Sequence, residues 1–141
     1  MTRIDFYTHV KDKLATTCAL SAKAVGRGHR VMILTPDAEV TATLDRLMWT
    51  MPALSFLPHC RPSDSCTEWT PVLIDHSAEQ LLHDDLLINL QSEFPPCFSR
   101  FRRLLEIVGL EPVDLSAART RYRFYRDRGY PILDHKLCGP L

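Results

Sequence analysis

The stretch Arg30-Val31-Met32-Ile33-Leu34-Thr35-Pro36-Asp37 decides the fold. Val31 to Leu34 is a short, unbroken apolar run, the pattern of a strand buried on both faces inside a parallel sheet. Thr35, Pro36 and Asp37 then supply an N-cap, a first-turn proline and a first-turn acid, so a helix follows at once and runs to about Trp49. Upstream, Leu14, Cys18, Ala22 and Val25 recur at helical spacing until Gly26 and Gly28 stop them. Before that helix, Arg3 to Val10 sets Ile4 and Phe6 against Asp5 and Tyr7, the alternation of a first strand. Strand, helix, strand, helix at this spacing predicts a βαβ unit and a parallel sheet.

Beyond Trp49 the chain turns irregular. Pro52, Pro58, Pro62 and Pro71 make a long loop around the apolar island Leu54–Leu57, and Pro71 to Ile74 and Leu86 to Leu90 read as two further strands. Phe98 to Leu110 reads as a short helix followed by a strand. The last clear element is a helix from Leu115 to Arg128, capped by Asp114, ended by Gly129 and barred from continuing by Pro131. The expectation is an α/β fold of three layers, a mostly parallel sheet with helices on both faces, forming one domain over residues 1–141. It is Rossmann-like without a phosphate-binding loop.

The 141 residues are 45% hydrophobic and 24% charged, ordinary values for a globular domain that needs no disulfide or metal staple. No window is apolar enough to span a membrane, and the charged start Met1-Thr2-Arg3-Ile4-Asp5 has no signal-peptide core, so the expected location is cytoplasmic, with no membrane partner. Five cysteines at irregular spacing are no disulfide framework and read as idle thiols in a reducing compartment. Lys+Arg and Asp+Glu are both 17, and this neutrality argues against DNA as the main partner, though it permits local basic patches.

The chemistry of an enzyme is missing. The first strand-to-helix turn, His9-Val10-Lys11-Asp12-Lys13, holds no glycine, and no Gly-rich phosphate loop occurs elsewhere, so a nucleotide cofactor has no cradle. His59, Cys60, Cys66 and His76 match no zinc spacing, so no metal site is expected. Asp75-His76 and His83-Asp84-Asp85 have no nucleophile to serve. The expectation is a protein with no active site and no cofactor.

Two surfaces stand out instead. In the helix after Pro36, Val40, Leu44, Leu47 and Met48 fall in one core-facing stripe, while Trp49 lies about 180° from Val40 at roughly 100° per residue. The run Trp49-Thr50-Met51-Pro52-Ala53-Leu54-Ser55-Phe56 is either a local mini-core or a hydrophobic docking patch. The final helix puts Leu115, Ala118, Tyr122 and Tyr125 on one stripe, with Arg119, Arg123 and Arg126 as a ridge along one flank and Arg121 and Arg128 on the other. From Ala117 to Arg128 five arginines face one acid, Asp127, a local charge of +4. That ridge is a solvated surface, a site for an acidic ligand ending in an apolar group, or a platform for single-stranded nucleic acid.

Two blocks carry a resemblance. Leu44-Asp45-Arg46-Leu47-Met48-Trp49…Pro52-Ala53…Ser55-Phe56-Leu57-Pro58-His59 and Arg119-Thr120-Arg121-Tyr122-Arg123-Phe124-Tyr125-Arg126…Gly129-Tyr130, with the opening Phe6-Tyr7 strand, resemble the chi subunit of bacterial DNA polymerase III. The likeness covers nearly the whole chain. It implies a non-catalytic accessory of the replicative clamp loader that links it to the acidic C-terminal tail of single-stranded-DNA-binding protein and to the psi subunit. The implied tail site is Arg119, Tyr122, Arg123 and Arg126, and the implied psi contacts are Trp49, Pro52 and Phe56. Nucleic acid would be met mainly through these partners. Where the family can place a lysine one turn before the first of these arginines, this chain has Leu115, which implies one cationic contact fewer.

Overall fold

A computed structural model of the protein describes residues 2–50, 59–60, 72–76 and 84–136, and at 49, 50, 59 and 60 the backbone alone. The elements are β1 (Arg3–Val10), α1 (Lys13–Gly26), β2 (Val31–Leu34), α2 (Ala38–Thr50), β3 (His59–Cys60), β4 (Val72–Asp75), β5 (Leu86–Asn89), β6 (Arg103–Gly109), α3 (Pro112–Asp127) and β7 (Ile132–Lys136). A single 3-10 turn, Phe98–Arg100, precedes β6. The sheet order is β3-β4-β2-β5-β6-β1-β7, and every pairing is parallel. Six strands have four or more residues; β3 has two.

The apolar runs were the right guide to the interior. All four residues of β2 are buried, as a central parallel strand requires. The alternate residues of β6 divide the core: Leu105 and Ile107 pack with α1 and α2, whereas Leu104 and Val108 pack with α3. The result is three layers with helices on both faces. Leu44 and Met48 of α2 are buried and Leu47 packs against them, as the predicted stripe demands. The thiol of Cys18 is sealed in this core, where burial pushes its pKa up to about 11.

Three local expectations are corrected. The α2 start is capped by Asp37, whose carboxylate accepts from the Val40 N–H at 2.9 Å, and not by Thr35, whose buried hydroxyl bonds Thr41 instead. The last helix begins at Pro112, one turn earlier than its apolar stripe suggested, because proline is well suited to the first helical position. Asp114 therefore sits inside the first turn and does not cap it; its carboxylate accepts from the Gly109 N–H at 2.6 Å. Finally, β7 was not expected. Its five residues are mostly exposed and lie at an edge beside β1, with Ile132 opposite Ile4, so they lack the apolar run of a buried strand.

Among the described residues no helix is long and apolar enough to cross a membrane.

Candidate functional site

Helix α3 lies on the sheet through Ala118, Arg121 and Tyr125, all buried. At the helical turn angle, the opposite side carries Arg119, Arg123 and Arg126, and all three are exposed. Arg119 and Arg123 form no ion pair among the described residues. Among the described residues Arg126 pairs only with its neighbour Asp127, at 3.4 Å and largely exposed, a pairing worth little. Tyr122 borders the ridge half-buried, its ring 5.3 Å from that of Phe6. Leu115 is half-buried on the same flank, where it packs on the core. The predicted tail-site residues thus share one flank: three cations at the surface and one aromatic ring fixed beneath them.

The other flank departs from expectation. Helical spacing puts Arg121 with Arg128 along this flank, but the Arg121 side chain is 2% exposed and its Nε donates to Glu106 Oε2 at 3.0 Å. The Tyr125 hydroxyl donates to the same oxygen at 2.6 Å, and Asn89 Nδ2 donates to Glu106 Oε1 at 2.8 Å. Burial pushes the Glu106 carboxyl above its usual range and Arg121 opposes that shift, while all three partners are donors suited to the carboxylate form. Burial and the adjacent Glu106 also drive the Tyr125 phenol strongly upward, so it stays a donor. Arg121 Nη1 further donates to the Ser92 carbonyl at 2.8 Å, and Phe94 stacks on Phe124 with centroids 3.8 Å apart. Arg128 lies over the Phe124 ring at 4.3 Å. The loop after β5 is thereby clamped to α3, and the ridge projects from a helix held on a buried ion pair. One signal of this was present in the sequence. A glutamate amid Leu104, Leu105, Ile107 and Val108 cannot be buried without a cation.

β1 and β6 are neighbours whose following helices lie on opposite faces, so the crevice at their C-terminal ends is where doubly wound folds hold ligands. A cavity of about 510 Å³ does lie there, between Val10, Lys13, Gly109 and Asp114. Donors in and beside it are engaged by carboxylates of the chain. Asp12 accepts from the Ala15 N–H at the start of α1, and Asp114 takes the Gly109 N–H and pairs with Lys13 at 3.2 Å. A phosphate entering the crevice would meet the Asp114 carboxylate at the Gly109 N–H, where a nucleotide-binding loop presents free N–H groups.

Of the other candidates, His76 pairs with Asp75 at 3.3 Å and His29 with Asp85 at 3.4 Å, both at the surface. No group of three metal-ligating side chains forms among the described residues. Trp49 belongs to the last turn of α2 by its backbone; its side chain, and Pro52 and Phe56 altogether, lie outside the described residues.

With this geometry in place, comparison with known proteins is decisive. The model of the family "DNA polymerase III chi subunit, HolC" matches residues 1–133. The chain belongs to that family. The DNA polymerase III subunit chi of Pseudomonas aeruginosa is 36% identical over 97% of this chain and 98% of its own length. The chi subunit of Escherichia coli K12 is 30% identical over 82% of this chain and 79% of its own. That of Haemophilus influenzae is 28% identical over 82% and 81%. Family membership makes this an accessory protein of DNA replication.

Proposed function

We propose that the chain is a non-catalytic adaptor, a single α/β domain that binds the acidic C-terminal tail of single-stranded-DNA-binding protein on the α3 ridge and a psi-type clamp-loader subunit through Trp49, Pro52 and Phe56. The observation that carries the tail site is the exposure of Arg119 and Arg123 without an ion-pair partner among the described residues, on a helix anchored from beneath by Arg121. Guanidinium forks suit carboxylates, and Tyr122 with Leu115 offers apolar surface for the terminal side chain. The Ala15 and Gly109 N–H groups, already occupied by Asp12 and Asp114, support the non-enzymatic part of the reading. The psi contacts rest on the resemblance alone.

Each well-placed charge-assisted hydrogen bond contributes about 1.5–3 kcal/mol, against the ordering of a flexible peptide, so micromolar binding is expected. Calorimetric titration of a tail peptide tests the site. Arg123→Glu should reduce affinity by about tenfold or more, and undiminished binding would reject the assignment. A nucleotide and metal thermal-shift screen tests the rival enzyme reading, in which a ligand raises the melting temperature.

A further inference from the structure

A second cavity, of about 310 Å³, lies on the opposite face of the sheet, under the C-terminal half of α1. Its floor is apolar: Leu20, Leu86 and Leu105, all buried in the α1–α2 core. Its rim is cationic, formed by Arg3, Lys23, Arg27, Arg102 and Arg103. The acid on its wall is Asp85, which is engaged by His29 and by the Arg30 N–H. Behind the rim, Asp5 is shared by Arg103 at 2.6 Å, Arg3 at 3.7 Å and His135 at 2.9 Å. Lys23, Arg27 and Arg102 form no ion pair among the described residues, so the rim keeps an excess of positive charge. Tyr7 forms one side, its ring stacked on His135 with centroids 4.6 Å apart. Burial pushes the Tyr7 phenol above its ordinary range, and the charges of Arg103, Arg3 and Arg27 oppose that shift.

We propose that this cavity binds a nucleotide unit of single-stranded nucleic acid, its phosphate held by the cationic rim and its base laid on the leucine floor beside Tyr7. The volume lies at the lower end of the range for small-ligand sites, about 300–1,000 Å³. Cations edging an apolar, aromatic-sided slot are the pairing by which single strands are held without sequence readout. An acidic peptide is the poorer occupant. β6 and β1 are hydrogen-bonded on both sides, by β5, by each other and by β7, so the cavity offers no open strand edge to a peptide main chain. The neutral total charge of the chain is no obstacle, because this rim concentrates cations that acids elsewhere balance. The site is separate from the α3 ridge, since its floor belongs to the core on the other face of the sheet.

The test is fluorescence anisotropy of a labelled oligothymidylate of about fifteen nucleotides, near the longest span that a single-strand-binding OB fold covers, against the full chain at low salt. Binding should weaken with added salt with a log–log slope between about −0.7, for the one phosphate in the cavity, and about −2, if Lys23, Arg27 and Arg102 each also neutralise a phosphate of the same strand. The pair Lys23→Glu/Arg27→Glu, and separately Arg102→Glu from another part of the rim, should each weaken binding by about tenfold or more. All these side chains are exposed, and unchanged melting curves would show that the variants fold. Arg119→Glu/Arg123→Glu should leave oligonucleotide binding within about twofold. Thymidine monophosphate should compete weakly and inorganic phosphate more weakly still. No binding at low salt, loss only in the α3 variant, or stronger competition by an acidic peptide or by inorganic phosphate would each overturn the proposal.

Discussion

Arg121 and Glu106 meet where water does not reach, and that fact governs what either substitution does. Removing one member of a buried pair leaves the other charge without compensation, at a cost of about 3–5 kcal/mol, whereas replacing both is often close to neutral. Arg121→Met should therefore destabilise the protein by that amount in urea denaturation. Adding Glu106→Gln to the same chain should recover a large part of the loss, because the neutral amide still has Asn89 and Tyr125 as partners. An equal loss in the double variant would mean that packing, not charge, holds this site. Arg119, two residues earlier, is exposed and should tolerate alanine with little change in stability. No property of either arginine in isolation separates these outcomes.

Among the elements, β7 and α3 show how a strand or helix is held by partners distant in sequence. Edge strand β7 joins β1 through backbone pairing, and also through His135, which donates to the Asp5 carboxylate beside Arg103 of β6. Burial pushes the Asp5 carboxyl up, but hydrogen bonds from Arg103 and His135 outweigh that and hold it below its ordinary 3.8. A carboxyl lowered in the folded state lends stability above its unfolded pKa and loses it as pH falls through the folded value. Asp5→Asn should thus be less stable than the parent at pH 7, by about 1–3 kcal/mol. That gap should close as pH falls below about 3.8, the ordinary carboxyl range. Denaturation series at several pH values would check it, and a gap that stays constant into acid would refute the assignment. For α3, Arg119→Ala/Arg123→Ala should leave the melting temperature nearly unchanged and remove tail-peptide binding, since the helix is anchored by Ala118, Arg121 and Tyr125 on its other side.

At the scale of the whole molecule, charge is neutral in sum and unequal in place. The α3 ridge projects on one side of the sheet and the cationic cavity opens on the other, with the core between them. Saturating tail peptide should therefore leave oligonucleotide affinity unchanged, as anisotropy with both ligands present would show; mutual exclusion would place them at one site. Five of the described strands, the helices, the three-layer plan and the arginine ridge were legible in the amino-acid order, because apolar run length and helical spacing act locally. So was the lack of glycine at the first strand-to-helix turn. The strand β3, two residues inside a stretch that reads as loop, was not. Local order did not reveal which arginine would be buried, since Arg121 and Arg123 differ by about 200° of helical rotation and the sheet alone selects the face. It did not reveal β7, whose pairing with β1 is made across more than a hundred residues. Nor did it show the basic cavity, assembled from β1, α1, β5 and β6, whose cations are scattered along the chain. Sequence by itself determined the helices, the buried strands and the family; only tertiary packing decided which charges are neutralised inside and which face water, because burial is a property of neighbours in space.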